Sequence, residues 1–365
     1  MKIKINLFLT LLLCLILSLV VSAQKIGKPT ITPTVATATQ KQLISEGIKL
    51  HDQKQYDEAI KKYEQVLKEN PNNDEALYEM ALSYYYKKDM QKASETAYKL
   101  TQYKSNLGLL GYGLIANVLD DSGKPKEAIE IYQKAIKQLK GDAEFQSHLS
   151  SLYYNLGITY FRQNQYTEAR EASKTAVELN FNYPSPSYLL AVVYHGTKYK
   201  VPALLAAARL ISLELNTDRT KQSAAIVLDI LNGAKKDEKT GNFNIFLDLN
   251  APKDEGDFGM YDLLLGTLTT VKGEKDKNKT ENEIFADAVD TMISLLAEDK
   301  KLKSTFVGKT YIPYMVEMKK QGHSKTFAYL VLQQNGNKEA LKWLVENEQQ
   351  NVNFIKWAKS YQLPK

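Results

Sequence analysis

The sequence predicts an all-α protein: a right-handed solenoid of about five helical hairpins over residues 40–216, followed by a mainly helical domain over residues 217–365. Two observations carry that expectation. An alanine within an amphipathic run recurs as Ala59, Ala93, Ala128, Ala169 and Ala203, at gaps of 34, 35, 41 and 34 residues. Each recurrence follows a first apolar helix and a short turn, and a period near ~34 with that pattern marks stacked helix pairs that cannot bury their apolar faces alone. A third observation concerns what holds the chain together. Cys14 is the only cysteine, so beyond residue 23 neither disulfides nor thiolate metal sites can form, and packing must supply the stability.

Residues 1–23 read as a cleavable export leader: Lys2 and Lys4, an apolar run from Leu7 to Val21, then Val21, Ser22 and Ala23 before Gln24. An uncleaved anchor is the less favoured alternative, because the run is shorter than the roughly 20 residues a spanning helix prefers. Leu13 stands where a lipid-attachment site at Cys14 would want a small residue. Without the leader's two lysines, 46 basic residues face 42 acidic ones, a net +4 spread over a long chain. That balance argues against nucleic acid as a partner. Residues 24–39, rich in Thr, Pro and Ala, read as an extended tether.

The repeats follow in order. Copy one supplies Leu43, Glu46, Gly47 and Leu50, then Ala59, Tyr63, Val66 and Pro71; copy two supplies Leu77, Met80, Ala81 and Tyr84, then Ala93, Ala97 and Leu100. Copy three offers Tyr112, Ile115, Ala116 and Leu119, a turn at Gly123 and Pro125, then Ala128, Tyr132 and Ala135. Copy four has Tyr153, Leu156, Gly157 and Tyr160, then Ala169, Ser173 and Ala176; copy five has Ser187, Leu190, Ala191 and Tyr194, then Pro202, Ala203, Ala207 and Leu210. This pattern resembles the tetratricopeptide-repeat (TPR) family, in which a large residue, an apolar–small pair and another large residue mark the first helix. Small, aromatic and small residues mark the second. The small positions let helices approach while Tyr and Leu fill the space between successive pairs.

The resemblance implies that first helices line a concave groove, with the residues between packing positions pointing into it. At spacing i, i+4, i+7, which shares one helical face, copy two presents Tyr78, Leu82 and Tyr85. Copy four presents Tyr154, Ile158 and Phe161, with Arg162 beside it, and copy five presents Tyr188, Val192 and His195. Copy one carries Ile44, Ile48 and His51; copy three breaks the stripe with Gly113, Asn117, Asp120 and the adjacent Asp121. A groove with Tyr-rich walls and a polar, acidic middle suits a protein or peptide partner, and Asn117 could pair with peptide backbone. The same spacing would also suit rings covered by a neighbouring copy or by the C-terminal half.

Beyond Thr217 the alanine register is lost. A helix is expected in the stretch from Lys221 to Gly233, then over 257–271, 281–297, 311–321, 325–334, 338–346 and 352–361, with a helix-ending turn at Asn335–Asn337. Residues 242–250 read as an extended arm in preference to a strand, and the Lys-rich stretch 271–283 as a solvated loop. This half is expected to cap the solenoid.

Motifs for chemistry are weak. Asp248, Asp254, Glu255, Asp257 and Asp262 could hold calcium but lack the EF-hand spacing, and read as a solvated acidic loop capping the next helix. "GYGLIA" (111–116) matches a dinucleotide fingerprint by letter but has no strand before it. No pair among His51, His148, His195 and His323 has metal-ligand spacing. The reading is an exported bacterial scaffold, periplasmic or secreted, non-catalytic, with no cofactor, no metal and no membrane span after cleavage. The alternative places an envelope enzyme or small-ligand site in the C-terminal half, with the repeats as a targeting module.

Overall fold

A computed structural model describes residues 29–139, 146–236, 243–244, 253–270 and 273–364. The expected leader, residues 24–28 of the tether, Asp248 and most of the arm at 242–250 lie outside the described residues. Among the described residues the protein is all-α apart from one two-residue strand pair and an isolated bridge between Ile31 and Tyr103. It forms two compact units, one up to Thr159 and one from Tyr160 onward.

The first unit begins with an extended segment that is pinned. The amides of Thr30 and Ile31 donate to the Gln102 carbonyl at 2.8 and 2.9 Å, and Lys104 donates back to Ile31 at 2.8 Å. Asn73 Nδ2 donates to the Thr34 carbonyl at 3.1 Å and Asn70 Nδ2 to that of Val35 at 3.3 Å. Ala36 enters the core cluster of Ile44, Ala59 and Tyr63. Thr37 and Gln40 then form a reciprocal capping box that starts α1 (Ala38–Asp52). α2 (Tyr56–Glu69), α3 (Asp74–Tyr86), α4 (Met90–Leu100), α5 (Asn106–Asp121) and α6 (Pro125–Leu139) follow, each packed on the one before, while α1 also meets α3 and α3 meets α5. α7 (Gln146–Arg162) holds the division between the units.

In the second unit, α8 (Tyr166–Leu179), α9 (Pro184–Gly196), α10 (Lys200–Leu213) and α11 (Asp218–Leu231) precede the pair β1 (Lys235–Lys236) and β2 (Phe243–Asn244). β2 gives Phe243 and Asn244 a strand where the sequence favoured an unpaired arm. α12 (Gly259–Leu265), α13 (Glu281–Glu298), α14 (Phe306–Lys309), α15 (Tyr311–Lys320), α16 (Ser324–Gln334), α17 (Lys338–Glu346) and α18 (Glu348–Ser360) complete it. α12 is shorter than the expected 257–271. The Gly266 carbonyl is taken by the Ala234 amide at 2.8 Å, and the Thr267 and Thr269 hydroxyls bond back to Leu264 and Leu231 at 2.7 and 2.9 Å, offering the backbone alternatives to helix.

Among the described residues, seven turns between consecutive helices share one geometry. A residue in the left-handed region ends the first helix: Lys54, Lys88, Gly123, Asn164, Lys198, Gly322 or Gly336. Its amide reaches back three residues and the next amide reaches back five, as in Gln55 to Leu50 at 2.9 Å and Asn337 to Leu332 at 3.1 Å. The last two turns join α15 to α16 and α16 to α17, beyond the alanine register.

The register alanines Ala59, Ala93, Ala128, Ala169 and Ala203 are all 0% exposed. α10 is buried from Val201 to Ser212, and one apolar cluster joins it to residues as far along the chain as Ala358. The C-terminal helices therefore enclose copy five. At the centre Arg209, 0% exposed, lies 4.2 Å from the Phe181 ring and 4.4 Å from that of Tyr314. It donates to the carbonyls of Phe181 and Ala358 at 3.3 and 3.0 Å and to the Asn182 side chain. Burial pulls its pKa below the usual arginine value.

A close approach between α1 and α2 generates the first prediction. A Cβ on Gly47 would lie 2.5 Å from Cε1 of the buried Tyr63 ring. Gly47→Ala is expected to lower stability to urea by about 1–3 kcal/mol through overpacking, and the loss should shrink when Tyr63 is also changed to Leu.

Candidate functional site

The face expected to bind is displaced by one residue from the packing register. On α3, Leu77, Ala81 and Tyr84 are 6, 0 and 8% exposed, whereas Tyr78, Leu82 and Tyr85 are only part-buried. One residue is about 100° of helix, enough to carry a ring out of the interface. Tyr85 donates to Asp121 Oδ2 at 2.8 Å, and Lys88 lies 5.4 Å from the Tyr85 ring and 3.7 Å from the same carboxylate. On α7, Tyr154 and Ile158 are likewise part-buried, and Asp121 is exposed.

Asn117 is less available than the sequence suggests. Its Oδ1 accepts the Tyr132 hydroxyl and, at 3.2 Å, the Asn155 amide, while Thr159 donates to Asp120 at 3.1 Å. Among the described residues, the Asn117 amide end makes no hydrogen bond of its own. Gly113 is not a gap in the stripe: it is buried, and a Cβ there would lie 2.8 Å from Leu152 Cδ2. Gly111 meets the Ala97 carbonyl in the same way, at 2.9 Å. The glycines of "GYGLIA" serve helix approach, not phosphate. Ile44 is also core, at 2% exposure.

The sequence reading missed Tyr86. It is 52% exposed, and its ring lies 5.2 Å from His51, which in turn lies 5.2 Å from Tyr56. His51 Nδ1 pairs with Ser83 Oγ at 2.8 Å, and burial lowers its pKa. The consecutive run Tyr84–Tyr85–Tyr86 was the available signal, since three adjacent rings on a helix cannot all face one interface.

A cavity of about 390 Å³ opens beside Tyr78, between the pinned segment 33–36 and Glu75 and Glu79 of α3. Burial first, then the neighbouring Glu75 and Asp52, push the Glu79 carboxyl up to about 7.

In the second unit, Phe161 packs 5.8 Å from Tyr166, and Arg162 and His195 are exposed. Tyr188 donates to Gln222 and lies under the Arg219 guanidinium at 5.6 Å, His195 Nε2 is 3.4 Å from Asp229, and Val192 is part-buried. α11, which the sequence placed outside the solenoid, thus continues the face of copy five.

The acidic stretch is solvated only in part: Asp254 and Asp257 are exposed, and Glu255 is not. Glu255 is 5% exposed and meets Arg170 and Lys174 at 3.0 Å each. Asp254 meets Arg170 at 2.6 Å and accepts the Tyr199 hydroxyl, while Gly256 turns the chain at φ +126° against Phe258 and Thr305. Basic residues of α8 therefore take these carboxylates. Asp257 does accept the Gly259 amide at 3.3 Å, at the start of α12. His323 packs 5.6 and 5.2 Å from Phe354 and Trp357, and burial lowers its pKa.

Residues 47–87 match the family described as TPR repeat, and residues 109–180 match the tetratricopeptide repeat. The chain carries tetratricopeptide repeats. Among curated proteins, a BBSome complex member BBS4 homologue of Drosophila melanogaster is 25% identical over 164 residues, 44% of this chain and 32% of that protein. The RNA polymerase-associated protein CTR9 of Caenorhabditis elegans is 27% identical over 150 residues, 39% of this chain and 12% of that protein. The chain thus spans a third or less of these relatives. Similar solved structures include a thermophilic TPR protein of Thermus thermophilus, 22% identical over 52% of this chain and 99% of that one, with a TM-score of 0.43. Pseudomonas aeruginosa pilF is 17% identical over 52% and 83% of the two chains, at 0.45. Tetratricopeptide repeats suggest a protein-interaction scaffold, and proteins of this family are typically non-catalytic.

Glu79 predicts a pH dependence. Its folded pKa of about 7 stands above the ordinary value of 4.5, so the folded state holds a proton that the unfolded chain has released. Stability is therefore greatest below the unfolded value and is lost as pH rises through about 7. Urea midpoints should fall from pH ~5 to pH ~8 in the wild type, and Glu79→Gln should flatten that fall.

Proposed function

We propose that the chain is an exported, non-catalytic scaffold that holds a peptide or protein partner on the displayed face of its first helices. The observation that carries this is the sorting of side chains on α3 and α7: the register positions Leu77, Ala81 and Leu156 are at most 6% exposed, while Tyr78, Leu82, Tyr85, Tyr154 and Ile158 keep part of their surface in water. Part-exposed tyrosines offer large contact area at little entropic cost. Packed helices hold them in place before a partner arrives, which reduces the ordering cost of binding. Asp120, Asp121 and Glu75 give that face an acidic character suited to a peptide with apolar and basic residues. Lys2, Lys4, the apolar run and Val21-Ser22-Ala23 support export, and the absence of cysteine after residue 23 suits a chain that does not depend on disulfides. Among the described residues no helix is long and apolar enough to cross a membrane.

The test is a pull-down from the organism's own envelope extract with the chain beginning at Gln24 as bait. Tyr85→Ala combined with Tyr154→Ala should keep its circular dichroism spectrum and lose the captured partner. A folded variant that captures the same partner as wild type would refute the assignment of this face.

A further inference from the structure

One helix of the second unit is apolar on two sides. α17 turns Ala340 and Leu344, 0 and 5% exposed, into the core cluster and sets the Trp343 ring 4.3 Å from that of Tyr329. On another side Leu341 and Val345 stand in water, 49 and 68% exposed. Four residues apart, they share one face of the helix. Val352, near the start of α18, is 49% exposed as well. α2 and α6 show what an uncovered helix of this chain carries, since every exposed position on them is polar. A surface helix keeps its solvent side polar, so neighbouring aliphatics on α17 call for a cover.

The charges beside that face decide which cover fits. Lys342 and Glu346 follow Leu341 and Val345 by one residue each, and their side chains, 77 and 59% exposed, lie 3.7 Å apart. The order along the helix is therefore cation, then anion. A second α17 turned end over end presents its anion opposite the cation and its cation opposite the anion, whereas a parallel one would set like charges together. An exposed pair such as this contributes little alone. In the reversed arrangement the four charges alternate around the contact, and each gains a second partner. Lys338, at the start of the helix, then faces the end that carries Glu346 and Glu348 in the other copy. Glu339 does not oppose this, because two residues before Leu341 it lies about 200° around the helix.

We propose that α17 is the contact of a reversible two-fold dimer of this chain, in which the Leu341 and Val345 faces of two antiparallel helices pack together and Lys342 of each copy pairs with Glu346 of the other. Such a contact is isologous, with the same patch serving both copies. A stable dimer buries about 800 Å² on each partner, more than a helix of 9 residues presents, so the contact takes in Val352 and the start of α18 and stays reversible. It shares no residue with the face displayed on α3 and α7 and does not rest on the scaffold reading.

The test is sedimentation equilibrium of the chain from Gln24 onward across a concentration series. The weight-average mass should rise toward twice that of one chain. Val345→Lys replaces a side chain that stands in water, so it should keep the circular dichroism spectrum of the wild type yet weaken the dimer about tenfold. Lys342→Glu and Glu346→Lys should each weaken it several-fold, and the two together, which restore the alternation of charge, should recover the wild-type constant. The proposal is overturned if the mass stays that of a single chain throughout, if Val345→Lys dimerises as the wild type does, or if the double charge variant is as weak as the single ones.

Discussion

The constraint on which the rest depends is the closed turn between paired helices. A residue in the left-handed region ends the first helix, and the amide after it reaches back five residues, so the second helix starts at a set rotation relative to the first. That rotation brings Gly47 against Tyr63 and puts the register alanines at 0% exposure. It also leaves the residues one position away on the first helix outside the interface. Packing and display are thus two faces of one geometric decision. Four of the seven turns place Lys or Asn where glycine is the easier residue, at a cost of roughly 1–2 kcal/mol each. The helix–helix burial that each turn makes possible offsets that cost.

In the second unit the same geometry serves a closed core. α10 is surrounded, and Arg209 sits where a solenoid would ordinarily place an apolar residue. Its guanidinium is stacked between Phe181 and Tyr314 and bonded to two backbone carbonyls and Asn182. Planar, delocalised and weakly hydrated, it suits burial between rings better than a lysine would. The hydrogen bond to Ala358 ties α10 to the last helix. Arg170 plays a comparable part for the chain after β2, holding Asp254 and Glu255 against α8.

The packing register was legible because it depends on small residues at a fixed period, and steric exclusion leaves few substitutes for Ala or Gly there. The displayed face followed from the same register by a shift of one position, and most of its residues lie where that shift puts them. The exceptions arise from contacts distant in sequence. Ile44 is core, in a cluster with Ala36 of a segment whose composition showed nothing to bury. The Asn117 carbonyl is consumed by Tyr132 and Asn155. The acidic stretch looked solvated because Arg170 and Lys174 stand some eighty residues earlier. The turns at Gly322 and Gly336 escaped a search that followed alanine, although "NGN" already suggested a helix end at the second.

The central claim is that tyrosines of one helix pair divide into a packed class and a displayed class. Hydroxyl-radical footprinting of the intact protein, read by mass spectrometry, measures that division directly. The account predicts rapid oxidation of Tyr85, Tyr86, Tyr154 and Tyr188 and strong protection of Tyr63, Tyr112, Tyr132 and Tyr194, which are at most 1% exposed. Equal protection of Tyr85 and Tyr154 with Tyr63 and Tyr112 would contradict it, because the displayed rings would then be core.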